Sequence, residues 1–164
     1  MIKRTLAVLM IISSLAFLAA CTSEAKTETK YSAKEIMDRV RSSMTDLGDL
    51  KETDRSSEDW NLIFAYVSDI EADKVKDIDY LYMTNSTADE LCVVILSDED
   101  SAKKVESDMK HRIEVQKNYF ASYNTEELSK LDAACAERSG NVCIMLIGNQ
   151  AQNGKYEFDK MMSE

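Results

Sequence analysis

Proline is absent from this 164-residue chain, and glycine occurs only four times, at Gly48, Gly140, Gly148 and Gly154. With so few breakers, long uninterrupted elements are expected, and repeat-rich or disordered architectures are not. Histidine occurs once, as His111, and the four cysteines include no Cys-x-x-Cys spacing. A zinc site would therefore need all three cysteines beyond Cys21, and Cys92, Cys135 and Cys143 lie in apolar runs that read as buried. No serine or cysteine near His111 in sequence forms a nucleophile motif. Asp73, Asp77 and Asp79 lack the glycine and the closing glutamate of a calcium loop, and read instead as a solvated acidic face. No metal or cofactor is implied.

Positive charge is scarce as well. Twenty Lys and Arg face thirty Asp and Glu, a net charge of −10. Such a surface repels nucleic acid and anionic headgroups beyond a Debye length, about 8–10 Å in salt, which excludes a nucleic-acid binder. It also aids solubility.

What is present begins at the amino terminus. Lys3 and Arg4 precede an apolar run from Leu6 to Ala20, which closes on Leu18-Ala19-Ala20-Cys21. A basic head, an apolar middle and a small-residue exit make a secretory signal peptide over residues 1–20. The cysteine that follows turns the exit into a lipobox, with the Cys21 thiol fatty-acylated and the chain cut before it. Two other readings are a transmembrane anchor and an ordinary secretory signal. As a helix the run reaches only about 22 Å, short of a hydrocarbon core of about 30 Å. Two acyl chains on Cys21, palmitate in kind, would hold the protein stably, where one holds marginally. Residues 21–31 are mostly small and polar and read as a flexible tether. Without Lys3 and Arg4 the remaining chain carries a net charge of −12. Residues 32–164 suffice for one domain with a real core.

Along that domain, Ser32-Ala33-Lys34-Glu35 matches a capping box and opens a helix that ends before Gly48. Residues 49–57 are polar and read as a loop, and Trp60, Ile63, Phe64 and Val67 repeat at helical spacing. From Ile78 the pattern turns strand-like through Met83, and Leu91–Leu96 is apolar on both faces, as in the middle of a covered sheet. Ser97-Asp98 caps a long helix over about residues 99–122, and Asn124 caps a short one carrying Leu128 and Leu131. Ser139-Gly140-Asn141 turns into a second apolar strand, Val142–Ile147, and a last helix is expected after Gly154. The fold class is α+β, with a small, mostly antiparallel sheet covered by helices and one long central helix. Cys135 and Cys143 lie symmetrically about Ser139, so they either bridge a hairpin or sit as small core residues; the second reading is preferred.

One local inconsistency stands out on the long helix. Ala102, Val105, Met109, Gln116, Phe120 and Tyr123 form one stripe, and Arg112 lies near its centre. Burying an unpaired guanidinium costs several kcal/mol, so Arg112 must find a partner. It is either satisfied internally, by Asp89 or Glu90, with Gln116 tying down loop backbone, or the two line a pocket for a polar or anionic ligand. The structural reading is preferred. His111 falls well off the stripe and should face solvent.

Ala88-Asp89-Glu90-Leu91 opening an apolar strand, Arg112, Gln116, Phe120 and Tyr123 on the long helix, and Gly140-Asn141-Val142 opening the last strand together resemble the bacterial family known as domain of unknown function 4358, typically small lipoproteins. The resemblance spans roughly Trp60 to Met162. Asn124-Thr125 stands where a proline is expected to open the helix, and cysteines replace aliphatics in the strands. The resemblance implies an extracytoplasmic lipoprotein and supplies no catalytic residue. Three functions are therefore open: a non-enzymatic, membrane-tethered domain that recognises an envelope protein, a binder of small polar or anionic ligands at Arg112 and Gln116, and, least favoured, a hydrolase.

Overall fold

The computed structural model describes residues 29–84 and 86–164. The expected signal peptide, its Cys21 and most of the expected tether lie outside the described residues. Among the described residues, five strands form one sheet: β1 (Leu50–Asp54), β2 (Val75–Met83), β3 (Glu90–Leu96), β4 (Cys135–Ser139) and β5 (Val142–Ile147). Their order is β1-β2-β3-β5-β4, and every neighbouring pair is antiparallel. The helices are α1 (Ala33–Ser42), α2 (Trp60–Phe64), α3 (Glu99–Tyr123), α4 (Leu128–Ala133) and α5 (Ala151–Ser163). The fold is α+β, as expected, with α3 as the long helix.

Each face of the sheet has its own core. Cys92, Val94 and Leu96 of β3 point at α3, together with Tyr80, Cys143 and Met145. Leu91, Val93 and Ile95 point at α1 and α5, together with Leu81, Ile144 and Leu146. Because successive residues alternate across a strand, a central strand between two helical layers must be apolar throughout, which is why β3 and β5 were readable. Glu90 is the exception at the start of β3 and takes the α3 side.

Several elements differ from expectation. Residues 49–57 are not all loop, since they contain β1. As an edge strand, β1 buries only Thr53, so backbone pairing to β2 holds it and its side chains carry no apolar alternation. Strand β2 begins at Val75, and an irregularity between Val75 and Asp77 breaks the period there. Helix α2 stops at Phe64, and a turn carries Val67 into the core.

Gly154 does not precede the last helix but lies inside α5. A Cβ there would fall 2.8 Å from Leu146 Cδ1, 2.9 Å from Met44 Sδ and 3.0 Å from Val40 Cγ1. The glycine thus lets α5 approach α1 and β5 closely. Cys135 and Cys143 do not pair, because the hairpin register sets Cys135 opposite Leu146 and Cys143 opposite Arg138. The two thiols sit on opposite faces of the sheet, and all three cysteines of the described residues are free. Burial pushes the Cys143 thiol up to about 12 and that of Cys135 to about 11, so neither is a nucleophile near neutrality.

The chain enters at one end of the sheet. Ala33 N–H donates to Asp77 Oδ2 at 2.7 Å, and Tyr31 lies in a groove with Ser139 and Val142. Tyr31 also donates its hydroxyl to Glu164 at 2.8 Å. This is the end where β3 finishes, since Val142 pairs with Ile95.

Candidate functional site

The polar site lies at the other end, where β3 begins. Asp98 caps α3, its Oδ1 accepting from Ser101 N–H at 2.7 Å, and the helix runs back along the sheet. Its 25 residues span about 37 Å, against roughly 23 Å for the seven of β3. The last turns of α3 therefore extend past the strand. One turn apart, at i and i+4, Arg112 and Gln116 meet Glu90 there.

Glu90 is 3 % exposed and its oxygens are fully engaged. Oε1 accepts the Tyr80 hydroxyl at 2.5 Å and Arg112 Nε at 3.3 Å. Oε2 accepts Arg112 Nη2 at 3.1 Å and Gln116 Nε2 at 3.1 Å. Burial works against the guanidinium charge, but Glu90 outweighs it and holds Arg112 above its ordinary value. Burial, reinforced by Glu90, drives the Tyr80 phenol far up, so it stays a neutral donor. The arrangement thus sets a neutral phenol, a guanidinium and an amide as donors on one carboxylate.

Above this floor opens a cleft of about 440 Å³ lined by Tyr66, Tyr82, Arg112, Gln116 and Tyr119 among others. Arg112 keeps 21 % of its side chain exposed, and Nη1 has no protein acceptor among the described residues. Tyr66 and Tyr119 are 70 % and 54 % exposed. Tyr119 stacks on Tyr123 with ring centroids 5.3 Å apart, and the Tyr123 hydroxyl lies 3.2 Å from Ser86 Oγ.

The structure thus joins Arg112 and Gln116, as the helical stripe predicted, and chooses Glu90 as their partner. Gln116 bonds this carboxylate rather than loop backbone. Asp89 takes the opposite side of the chain and pairs with Lys130 Nζ at 2.7 Å, which also reaches Glu127 at 3.1 Å. Tyr123 is not in the buried stripe, because the helix has outrun the sheet by that point. His111 is exposed, as expected. The sequence reading missed Tyr66, Tyr82 and Tyr119. Their only signal was an aromatic one step off the apolar period, as Tyr119 is beside Phe120.

Asp79 also departs from expectation. Far from a solvated face, it is fully buried on the α1 side of β2, and neither carboxylate oxygen has a hydrogen-bond donor among the described residues. Lys34 Nζ stands 3.7 Å away while also pairing with Glu52 and Asp38 at 3.0 Å. Burial, then repulsion from Glu52, raises the Asp79 carboxyl to about 6. Among the described residues, no group of three or more His, Cys, Asp or Glu is placed to hold a metal ion, and no helix is long and apolar enough to cross a membrane.

The sequence profile of the family described as Domain of unknown function (DUF4358) matches residues 49–148, from just before β1 to the end of β5, taking in Glu90, Arg112 and Gln116. No curated protein and no solved structure matches the chain. A match over well more than half of the sequence, covering all five strands and the polar floor, establishes that this chain belongs to the DUF4358 family.

Proposed function

We propose that this protein is a non-catalytic binding domain, tethered by acyl chains on Cys21 to the outer face of the cell membrane, whose cleft over Glu90 and Arg112 engages a component of the envelope. The observation that supports this most is a rigid polar floor beneath exposed tyrosines. Such amphipathic rings bind at little entropic cost, and Tyr and Arg dominate recognition surfaces.

Placement supports the same reading. The described chain begins beside Val142, whereas the cleft lies by Glu90, most of a strand away and on the other face of the sheet. A cleft at the far end of the domain would then open away from the bilayer.

Two measurements test the proposal. Mass spectrometry of the amino-terminal peptide should find a diacylglyceryl group on Cys21, and Cys21→Ser should leave the membrane fraction or stay unprocessed. In detergent, where an acyl anchor no longer holds the chain to a bilayer, isolated envelopes should retain the wild-type chain in sedimentation and lose most of the Tyr66→Ala/Tyr119→Ala variant. An unacylated amino terminus, or equal retention of the variant, rejects the corresponding half of the proposal.

A further inference from the structure

We infer that the cleft takes neutral, N-acetylated sugar residues of an envelope glycan, a ligand class that rests on the binding role proposed above. Charge argues first. The Arg112 guanidinium is already paired with Glu90, and Asp89 with Lys130, so the lining offers no uncompensated cation to an anion. The chain's net charge of −10 opposes an anion further. A cation would meet only carboxylates that Arg112 and Lys130 already neutralise. A wholly apolar ligand would strip water from Arg112 Nη1 and return no acceptor, which costs on the order of 1–3 kcal/mol for each group left unpaired.

What remains is a neutral ligand that is polar at its rim and apolar on its faces. A sugar ring meets both requirements. Its C–H faces lie on tyrosine rings, here Tyr66, Tyr82 and Tyr119, while its hydroxyls accept and donate. An acetamido group adds a strong carbonyl acceptor for Arg112 Nη1 and an amide donor for the Gln116 carbonyl, which carries no hydrogen bond from the described residues. The volume of about 440 Å³ lies within the range of pre-formed small-ligand sites and accommodates one or two such rings.

The competing occupant is a protein partner. Exposed Tyr and Arg suit one, but a stable protein interface buries about 1,200–2,000 Å² with an apolar centre, whereas the centre here is a paired charge in a concavity.

The test uses the full chain in detergent, titrated calorimetrically with tetra-N-acetylchitotetraose, with inorganic phosphate as the anionic probe. Saturable binding of the oligosaccharide is expected, weakened at least tenfold in Tyr66→Ala and in Tyr119→Ala. Both replace exposed side chains, so their circular dichroism and melting should match wild type. Gln116→Leu should weaken binding about as much. No saturable binding, binding indifferent to the tyrosines, or tighter binding of phosphate overturns the inference. In the same detergent, envelopes digested with a glycan-strand hydrolase should no longer retain the chain, whereas protease-treated envelopes should. Retention that survives the hydrolase and falls with protease would identify a protein partner, overturning the glycan while leaving the binding role intact. Loss of all tyrosine dependence on untreated envelopes would remove the binding role as well.

Discussion

The two faces of the sheet bury carboxylates under opposite terms. On the α3 face, Glu90 receives four donor contacts from Tyr80, Arg112 and Gln116. On the α1 face, Asp79 receives no hydrogen bond from the described residues and faces Glu52 across a shared lysine. Asp79 and Tyr80 are adjacent in β2, so one step along the pleat separates a deprived acid from the donor that serves the other. The difference shows that burial alone does not decide whether a carboxylate stabilises a fold; the supply of donors does.

Glu90→Ala should break the satisfied side and have the largest effect. It leaves Arg112 without a counter-charge and Tyr80 without an acceptor, a loss of about 3–5 kcal/mol measured by urea unfolding at pH 7. An unchanged midpoint would show that water already satisfies Arg112.

Asp79→Asn should act in the opposite direction. The folded carboxyl titrates at about 6 and its ordinary value is 3.8, so the folded state binds more protons between those limits. Wild-type stability should therefore fall as pH rises from 4 to 6 and stay low above that. The asparagine variant should lack this component and be more stable at pH 8 by on the order of 2–3 kcal/mol. Parallel stability curves for the two proteins between pH 4 and 8 would contradict the contrast.

Gly154→Ala tests how tightly the Asp79 face is packed. Its methyl would displace Leu146, Met44 or Val40, with an expected loss of about 1–3 kcal/mol in chemical denaturation. The smallest effect, about 1 kcal/mol, is expected for Asp98→Ala, which removes the cap of α3 without touching Glu90. Thermal melts at pH 7 resolve it, and a loss as large as that of Glu90→Ala would mean that the start of α3 and its polar floor are one cooperative unit.

Much of this architecture could be read directly from residues. Leu91–Leu96 and Val142–Ile147 announce central strands because both faces must be apolar, and Arg112 announces a buried pair because it interrupts an apolar stripe. The rest depends on tertiary geometry. The pleat carries Asp79 inward although its neighbours Asp73 and Asp77 are acidic too, and no local pattern marks which acid turns in. Strand β1 owes its existence to the edge of β2 rather than to its own side chains. Gly154 looks like punctuation until α1 is packed against it. The tyrosines of the cleft acquire meaning only because α3 is longer than the strand it covers.

The contact between Tyr31 and Glu164 brings the two ends of the domain within one hydrogen bond of each other. A short peptide could close the chain into a ring there, and new termini could be opened at exposed loops elsewhere. Such a permuted protein would keep both cores and the cleft, and it could be attached to a surface from any side chosen by the experimenter.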